Sequence, residues 1–561
     1  MKKLIIFSIF LSTWYSGMGQ LAPNKYFIEF TDKNSNPWSL DRPWEFLSNR
    51  ALERRQNQGI GLEMNDLPIT PSYVVQVAAL GAQVLNRSKW MNGIIIFVTD
   101  TNILSSIRQL PFVKKIVINK SFPHSHLKVP DKFLPEREVS GLLVPESSWW
   151  VQTGTDQPYR ITDYGMAWAQ IHQLKGDIIH QMGYRGNGMI IAILDAGFLN
   201  ANLLPAFDSL RANGQILGTR DFVNPGNSVY NIHSHGTAVL STMGANLPGI
   251  MVGTAPKASF WLFRTEDVDS EYLIEEYNLV SGAEVADSAG ADIINSSLGY
   301  TVFDNPLQNH TCADMDGNTT VVTRGANTAV AKGMIVCNSA GNYGSNPNWQ
   351  CLSAPADGRS VVAVAAVDSL GNYASFSSKG QVTPVKVKPN VAAMGVLTAV
   401  CDPYGNVNRG SGTSFASPLI AGMLTCLWQA CQANTNLEVI KAMEHSGNQF
   451  SLPDSLLGYG IPDFVTSLSV MSSKEQTFQF QPECYPNPFG DELYIKVRGG
   501  DKKVQKIKLI NLTGLIVYNA GSFPAGEPII HIPTSHLKSG YYCLEIIYDH
   551  QHFIIPVIKV K

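Results

Sequence analysis

The spacing of apolar positions changes along the chain, and each change marks a different kind of element. Between residues 25 and 119 the runs KYFIEFT, GIIIFVT and PFVKKIVIN read as strands and PWEFLSNRALERRQ as an amphipathic helix, which predicts a small α+β domain over residues 20–120. Residues 121–160 are rich in Pro, Ser and charge, hold no sustained period and read as a linker. From 161 to 471 the pattern shifts to short runs apolar on both faces, GMIIAIL, ASFWLF, ADIINSS, GMIVCNS and SVVAVAAV, separated by helical patterns. Such runs suit a mostly parallel sheet covered by helices on both sides, so a doubly wound α/β domain is expected. The tail, 479–561, returns to alternation in ELYIKV, KIKLIN, GLIVYN, YYCLEIIY and FIIPVIKV, with Gly-rich turns and no helical pattern, and predicts a β-sandwich.

The first residues, Met1-Lys2-Lys3, precede an apolar run from Leu4 to Trp14 and the small, polar stretch YSGMGQ. That order predicts a signal peptide over residues 1–19, because the run is shorter than the ~20 apolar residues needed to cross a bilayer. No later run is long and apolar enough to span one, so no stable membrane span is expected. With 44% apolar and 16% charged residues the chain can bury several cores. A formal net charge of −3 offers no broad positive field for a phosphate backbone, so nucleic acid is not an expected partner. An exported chain lets its eight cysteines pair, and Cys312 with Cys351 would staple the loop between them. No Cys or His spacing is that of a zinc site, and no metal site is assigned.

Four short sequences of the central domain carry chemistry: ILDAGF around Asp195, HSHGTAV around His235, NSAGN ending at Asn342, and GTSFASP around Ser414. A serine hydroxyl attacks a carbonyl only beside a base, usually His, whose tautomer a carboxylate fixes. Asp195, His235 and Ser414 supply those three groups. Asp195 ends one predicted strand, Asn342 follows another and SSLG closes a third, so all three lie at the edge where open α/β sheets form sites. His235 and Ser414 each stand where a Gly/Thr-rich turn enters a helical pattern, which sets the Ser414 N–H and a helix N-terminus beside a developing oxyanion. The Asn342 carboxamide is the natural second donor. His233 competes as base, but the Gly-Thr after His235 selects the latter.

Together ILDAGF, HGTAV, SAGN and GTSFASP resemble the four signatures of the subtilisin-like serine protease family over roughly residues 160–470. GTAP at 253–256, the INSSLG run and KPNVAAMG at 388–395 are similar to further family segments. The resemblance implies a secreted serine endopeptidase acting on proteins or peptides through an acyl-enzyme on Ser414, with no cofactor required for chemistry. It also implies that Ser297, Leu298 and Gly299 form an edge segment that pairs with an extended substrate strand. Two positions depart from the family. Ala196 stands where a Ser or Thr usually supports the catalytic carboxylate, and Met394 stands in place of a Pro. Structural calcium is common in the family, but no EF-hand-type run locates a site.

The N-terminal α+β domain resembles in layout the propeptide that assists folding of such proteases and inhibits them. The tail, with YPNPF and a KVK ending, resembles the type IX secretion system sorting domain of Bacteroidetes, with a carbohydrate-binding sandwich as the alternative. That resemblance implies passage through the periplasm, contact with secretion machinery, and a secreted or cell-surface protein. A catalytically silent adhesin on the same scaffold is the rival reading. A general esterase is disfavoured because no GxSxG elbow surrounds Ser414. Residues 340–355, which the resemblance places at the border of the specificity pocket, contain no Asp or Glu, so a preference for Lys or Arg has no visible basis there.

Overall fold

A computed structural model of the chain describes residues 24–118, 159–383, 386–475, 482–497, 504–521, 523, 529–548 and 551–560. The predicted signal peptide and nearly all of the predicted linker lie outside the described residues.

The runs that are apolar on both faces become neighbours in one sheet of the central domain. Its strands are β5 (Ile190–Asp195), β6 (Ile216–Asp221), β7 (Ser259–Arg264), β8 (Ile293–Ser296), β9 (Ile335–Ser339), β10 (Val362–Val367) and β11 (Val391–Met394). They are ordered β11-β10-β9-β8-β5-β7-β6, and all pairs are parallel. Strands β8 to β11 are buried at every position, because helices cover both faces. One layer holds α4 (His235–Gly244) and α7 (Thr413–Ala430), and the other holds α5 (Ile274–Ala289) and α6 (Val321–Ala331). From β5 the chain runs outward to β6 and β7 on one side and to β8, β9, β10 and β11 on the other. The carboxyl end of β5 therefore lies where the strand order reverses.

The N-terminal domain is a four-stranded antiparallel sheet, order β2-β3-β1-β4, from β1 (Lys25–Phe30), β2 (Gln83–Ser88), β3 (Gly93–Phe97) and β4 (Val113–Ile118). Helices α1 (Asn49–Asn57), α2 (Pro71–Ala79) and α3 (Ile103–Arg108) complete it. Alternation along β1 splits its side chains between two cores. Tyr26, Ile28 and Phe30 face the domain's own interior, whereas Phe27 packs with Ile95 against Tyr277, Val280 and Val321 of the central domain. The Phe27 and Tyr277 rings stack at 4.0 Å.

The tail is a sandwich of two antiparallel sheets. One contains β12 (Pro482–Tyr485), β13 (Glu492–Val497) and β16 (Ile529–Pro533). The other contains β14 (Val504–Asn511), β15 (Ile516–Ala520), β17 (Gly540–Tyr548) and β18 (Gln551–Lys559). Its two sequence marks, YPNPFG and the basic-tipped last strand, form one unit. Phe489 exchanges backbone bonds with Ile558 and Val560, and Lys559 Nζ reaches the Gly490 carbonyl at 2.6 Å and Asp491 at 3.1 Å.

Candidate active site

Asp195 is the last residue of β5, at the strand-order reversal, and is fully buried. Its Oδ1 accepts the His235 Nδ1–H at 2.7 Å and the Ala196 N–H at 2.7 Å. A carboxylate on Nδ1 places the ring proton there and leaves Nε2 as the basic nitrogen. The sequence HGT is needed for this approach: a Cβ on Gly236 would lie 2.4 Å from the Gly197 carbonyl oxygen, so only glycine lets the start of α4 touch the Asp195 turn. His233 has a different use, since its Nδ1 accepts the His235 backbone N–H at 3.2 Å at the start of α4.

Ser414 lies in the first turn of α7, which also contains Pro418. Proline has no N–H for the carbonyl four residues back, so the Ser414 carbonyl is released from the helix ladder. Ser297 Oγ donates to it at 2.8 Å, and Ser414 Oγ donates to the Ser297 carbonyl at 3.3 Å. Behind this exchange, Asn295 Nδ2 donates to Ser297 Oγ at 3.1 Å while Asn295 Oδ1 accepts from Ser417 Oγ at 2.9 Å. The end of β8 and the start of α7 are thus tied side chain by side chain. The His235 ring lies 6.2 Å from that of Phe415, next to Ser414.

Asn342 is held from the same helix start. Its Oδ1 accepts from the Thr413 N–H at 3.0 Å and from Thr413 Oγ1 at 2.9 Å, which leaves Nδ2 as the carboxamide's donor. Leu298 presents its carbonyl to Asn338 Nδ2 at 2.9 Å. Ser353 packs against both segments 297–299 and 340–342: a Cβ on Gly299 would lie 2.6 Å from its Cβ, and one on Gly341 would lie 2.2 Å from its Oγ. The buried Ser353 Oγ meets no hydrogen-bond partner among the described residues. Two residues earlier, Cys351 is bonded to Cys312, the pairing expected from the loop between them. The sequence brought Asp195, His235, Asn342 and Ser414 to notice. It missed Asn295 and Ser417, for which the INSSLG and FASP runs were the signal, and Ser353, which had none.

Comparison with known proteins gives this edge a lineage. Residues 186–460 match the subtilase (peptidase S8) family. The chain is 31% identical over 287 residues to subtilisin E of Bacillus subtilis, covering 50% of this chain and 67% of that protein. It is also 31% identical to the subtilisin of Bacillus pumilus, covering 49% and 89%, and to thermitase of Thermoactinomyces vulgaris, covering 47% and 83%. The chain belongs to the subtilase family.

This subtilase is a serine endopeptidase. Residues 25–132 match the peptidase S8 propeptide domain of Bacteroidota, and residues 483–559 match the secretion system C-terminal sorting domain rather than a carbohydrate-binding sandwich. The protein is therefore exported, to the medium or the cell surface. Among the described residues no helix is long and apolar enough to cross a membrane.

Both departures from the family pattern have a place in the subtilase core. Met394, the last residue of β11, is buried there. Ala196 is fully buried beside Asp195, and Asp195 Oδ2 has no hydrogen-bond partner among the described residues. The missing hydroxyl is matched by an orphaned carboxylate oxygen. Glu266, Glu271 and Glu275 bring buried carboxylate oxygens within 4.8 Å of one another after β7. Glu275 caps the Tyr272 and Asp267 N–H groups of that loop, and Glu266 accepts from Tyr300 beyond β8.

Proposed function

We propose that Ser414 is the nucleophile of this endopeptidase, His235 its general base and Asp195 the group that orients the base. His235 Nε2 takes the Ser414 proton as Oγ attacks the scissile carbonyl, and returns it to the leaving amine; water then releases the acyl group by the same route in reverse. Asn342 Nδ2 and the Ser414 N–H stabilise the oxyanion, with the start of α7 adding its positive end. The reading is carried by the 2.7 Å Asp195–His235 bond, buried at the strand-order reversal of a parallel sheet. In the resting arrangement Ser414 Oγ rests on the Ser297 carbonyl, so substrate binding along 297–299 displaces that contact and turns the hydroxyl to the base.

Ser297, Leu298 and Gly299 pair with the substrate backbone, and the gap between them and residues 340–342 takes the side chain before the scissile bond. Ser353 lies at its floor, uncharged and small, which favours neutral substrate side chains over Lys or Arg. The chemistry needs no cofactor. Residues 25–118 act as a propeptide on the 161–471 domain, and the 479–561 tail addresses secretion machinery before removal. Ser414→Ala should abolish cleavage of a denatured protein, and a fluorophosphonate should label the parent protein at Ser414 and leave the variant unmodified. Unchanged cleavage by the variant, or label on another residue, overturns the assignment.

A further inference from the structure

The N-terminal domain contacts the catalytic domain in two chemically different ways. The sheet contributes an apolar contact, Phe27 and Ile95 on Tyr277 and Val280. Such a contact is non-directional and accepts any amphipathic sheet of suitable shape. The second contact is ionic and buried. Asp287 of α5, fully buried, binds Arg54 Nη2 at 2.6 Å, Arg55 Nη2 at 2.9 Å and Lys89 Nζ at 3.1 Å, all from the N-terminal domain. Arg55 also reaches Asp66 at 3.1 Å, and Asp66 in turn receives Lys332 of the catalytic domain at 2.8 Å. The resulting row, Lys89, Asp287, Arg55, Asp66, Lys332, alternates in sign and crosses the domain boundary three times.

Removing one partner of a buried pair leaves a charge that neither water nor protein solvates, whereas replacing both signs by apolar groups is often neutral. A buried carboxylate matched to three cations therefore discriminates between partners more sharply than it adds affinity. Arg54 deepens the match by donating to the Ala291 and Lys332 carbonyls at 2.5 and 3.2 Å, where α5 and α6 end. Nothing in the chemistry at Ser414 needs this cluster.

We infer that Asp287 reads the identity of the N-terminal domain: the catalytic domain accepts a domain that presents Arg54, Arg55 and Lys89 and rejects one of the same shape that lacks them. The cognate partner is this chain's own N-terminal domain. A chain with Ser414→Ala keeps the two domains joined, so docking can be followed by hydrogen exchange at the amides of α1 and β2. Four chains decide the matter. Arg54→Met/Arg55→Met/Lys89→Met alone and Asp287→Leu alone should each raise exchange from the undocked state by about 100-fold or more. The two sets combined should return most of that protection, because no unpaired charge remains at Asp287. Amides of β9 and β10 report separately on folding of the catalytic domain and should keep their protection in all four chains. One-sided changes within about threefold of the parent, or a combined chain as exposed as the sum of its parts, overturn the inference.

Discussion

Asp195 and Asp287 are both fully buried carboxylates of one catalytic domain, and their surroundings are opposites. Asp195 uses a single oxygen, shared by His235 and the Ala196 N–H, while Oδ2 meets no donor among the described residues. Asp287 has both oxygens occupied by cations. Burial pushes Asp287 up, but Lys89, Arg54 and Arg55 outweigh it and hold the carboxyl down at about 2. The difference separates holding from acting. A carboxylate saturated by fixed cations stays ionised and anchors a domain, whereas one committed to a single imidazole can respond when that imidazole gains a proton.

The largest effect on this contrast should come from Asp195→Asn. The amide keeps the size of the side chain but no longer fixes the proton on Nδ1, so His235 is held in the wrong tautomer, and kcat should fall by about 10⁴ with little change in KM. A loss below about tenfold in steady-state kinetics would mean that the Asp195–His235 bond only shapes the turn.

Glu284 gives the comparison a third member. It stands on α5 one turn before Asp287, and its carboxylate accepts Ser88 Oγ at 2.6 Å and the Lys89 and Trp90 N–H groups at 2.7 and 3.0 Å. No guanidinium reaches it among the described contacts, and burial pushes it up from an ordinary 4.5 to about 7. The docked state therefore binds more protons than the undocked one between those two values. Docking should be strongest below about 4.5 and weaken as pH rises through 7. Calorimetry of the Ser414→Ala chain should show the N-terminal domain melting at lower temperature at pH 8 than at pH 5, and Glu284→Gln should flatten that trend. An unchanged trend in the glutamine variant would assign it to another group. Asp287 supplies the internal control, because its own contribution is lost only as pH falls through about 2.

These carboxylates also show what the sequence could and could not reveal. Asp195 was legible because it closes an apolar strand and because HGT, SAGN and GTS each mark a tight backbone approach. Strands β5 and β7 to β10 were legible for the same reason, since burial on two faces leaves a continuous apolar run. Strand β6, reading ILGTRD, is the exposed edge of the sheet, and half-buried positions of that kind give no run to detect. Strand β11 was seen as part of KPNVAAMG but not as a strand, because its four residues, VAAM, hold a single β-branched side chain. The Asp287 cluster left no trace, because Arg54 and Arg55 lie 233 and 232 residues away and no local pattern encodes a partner at that distance. Ser353 was silent too: its role comes from the two glycines that face it, not from its neighbours in LSAP.

The smallest and most diagnostic change is Ala196→Ser. A hydroxyl beside Asp195 Oδ2 would draw negative charge toward that oxygen and away from Oδ1, so the carboxylate would hold the imidazolium of His235 less tightly. A weaker hold favours the neutral ring, the form that the proposed base requires. The acid limb of kcat/KM should therefore move to lower pH, by less than about one unit, while the plateau changes little. Ala196→Val adds bulk at the same position without a donor and separates charge from packing. If the serine and valine variants shift the limb alike, the orphaned oxygen has no part in the profile. If only serine shifts it, the carboxylate that acts differs from the one that holds by a single missing donor, and supplying that donor moves it part of the way toward Asp287.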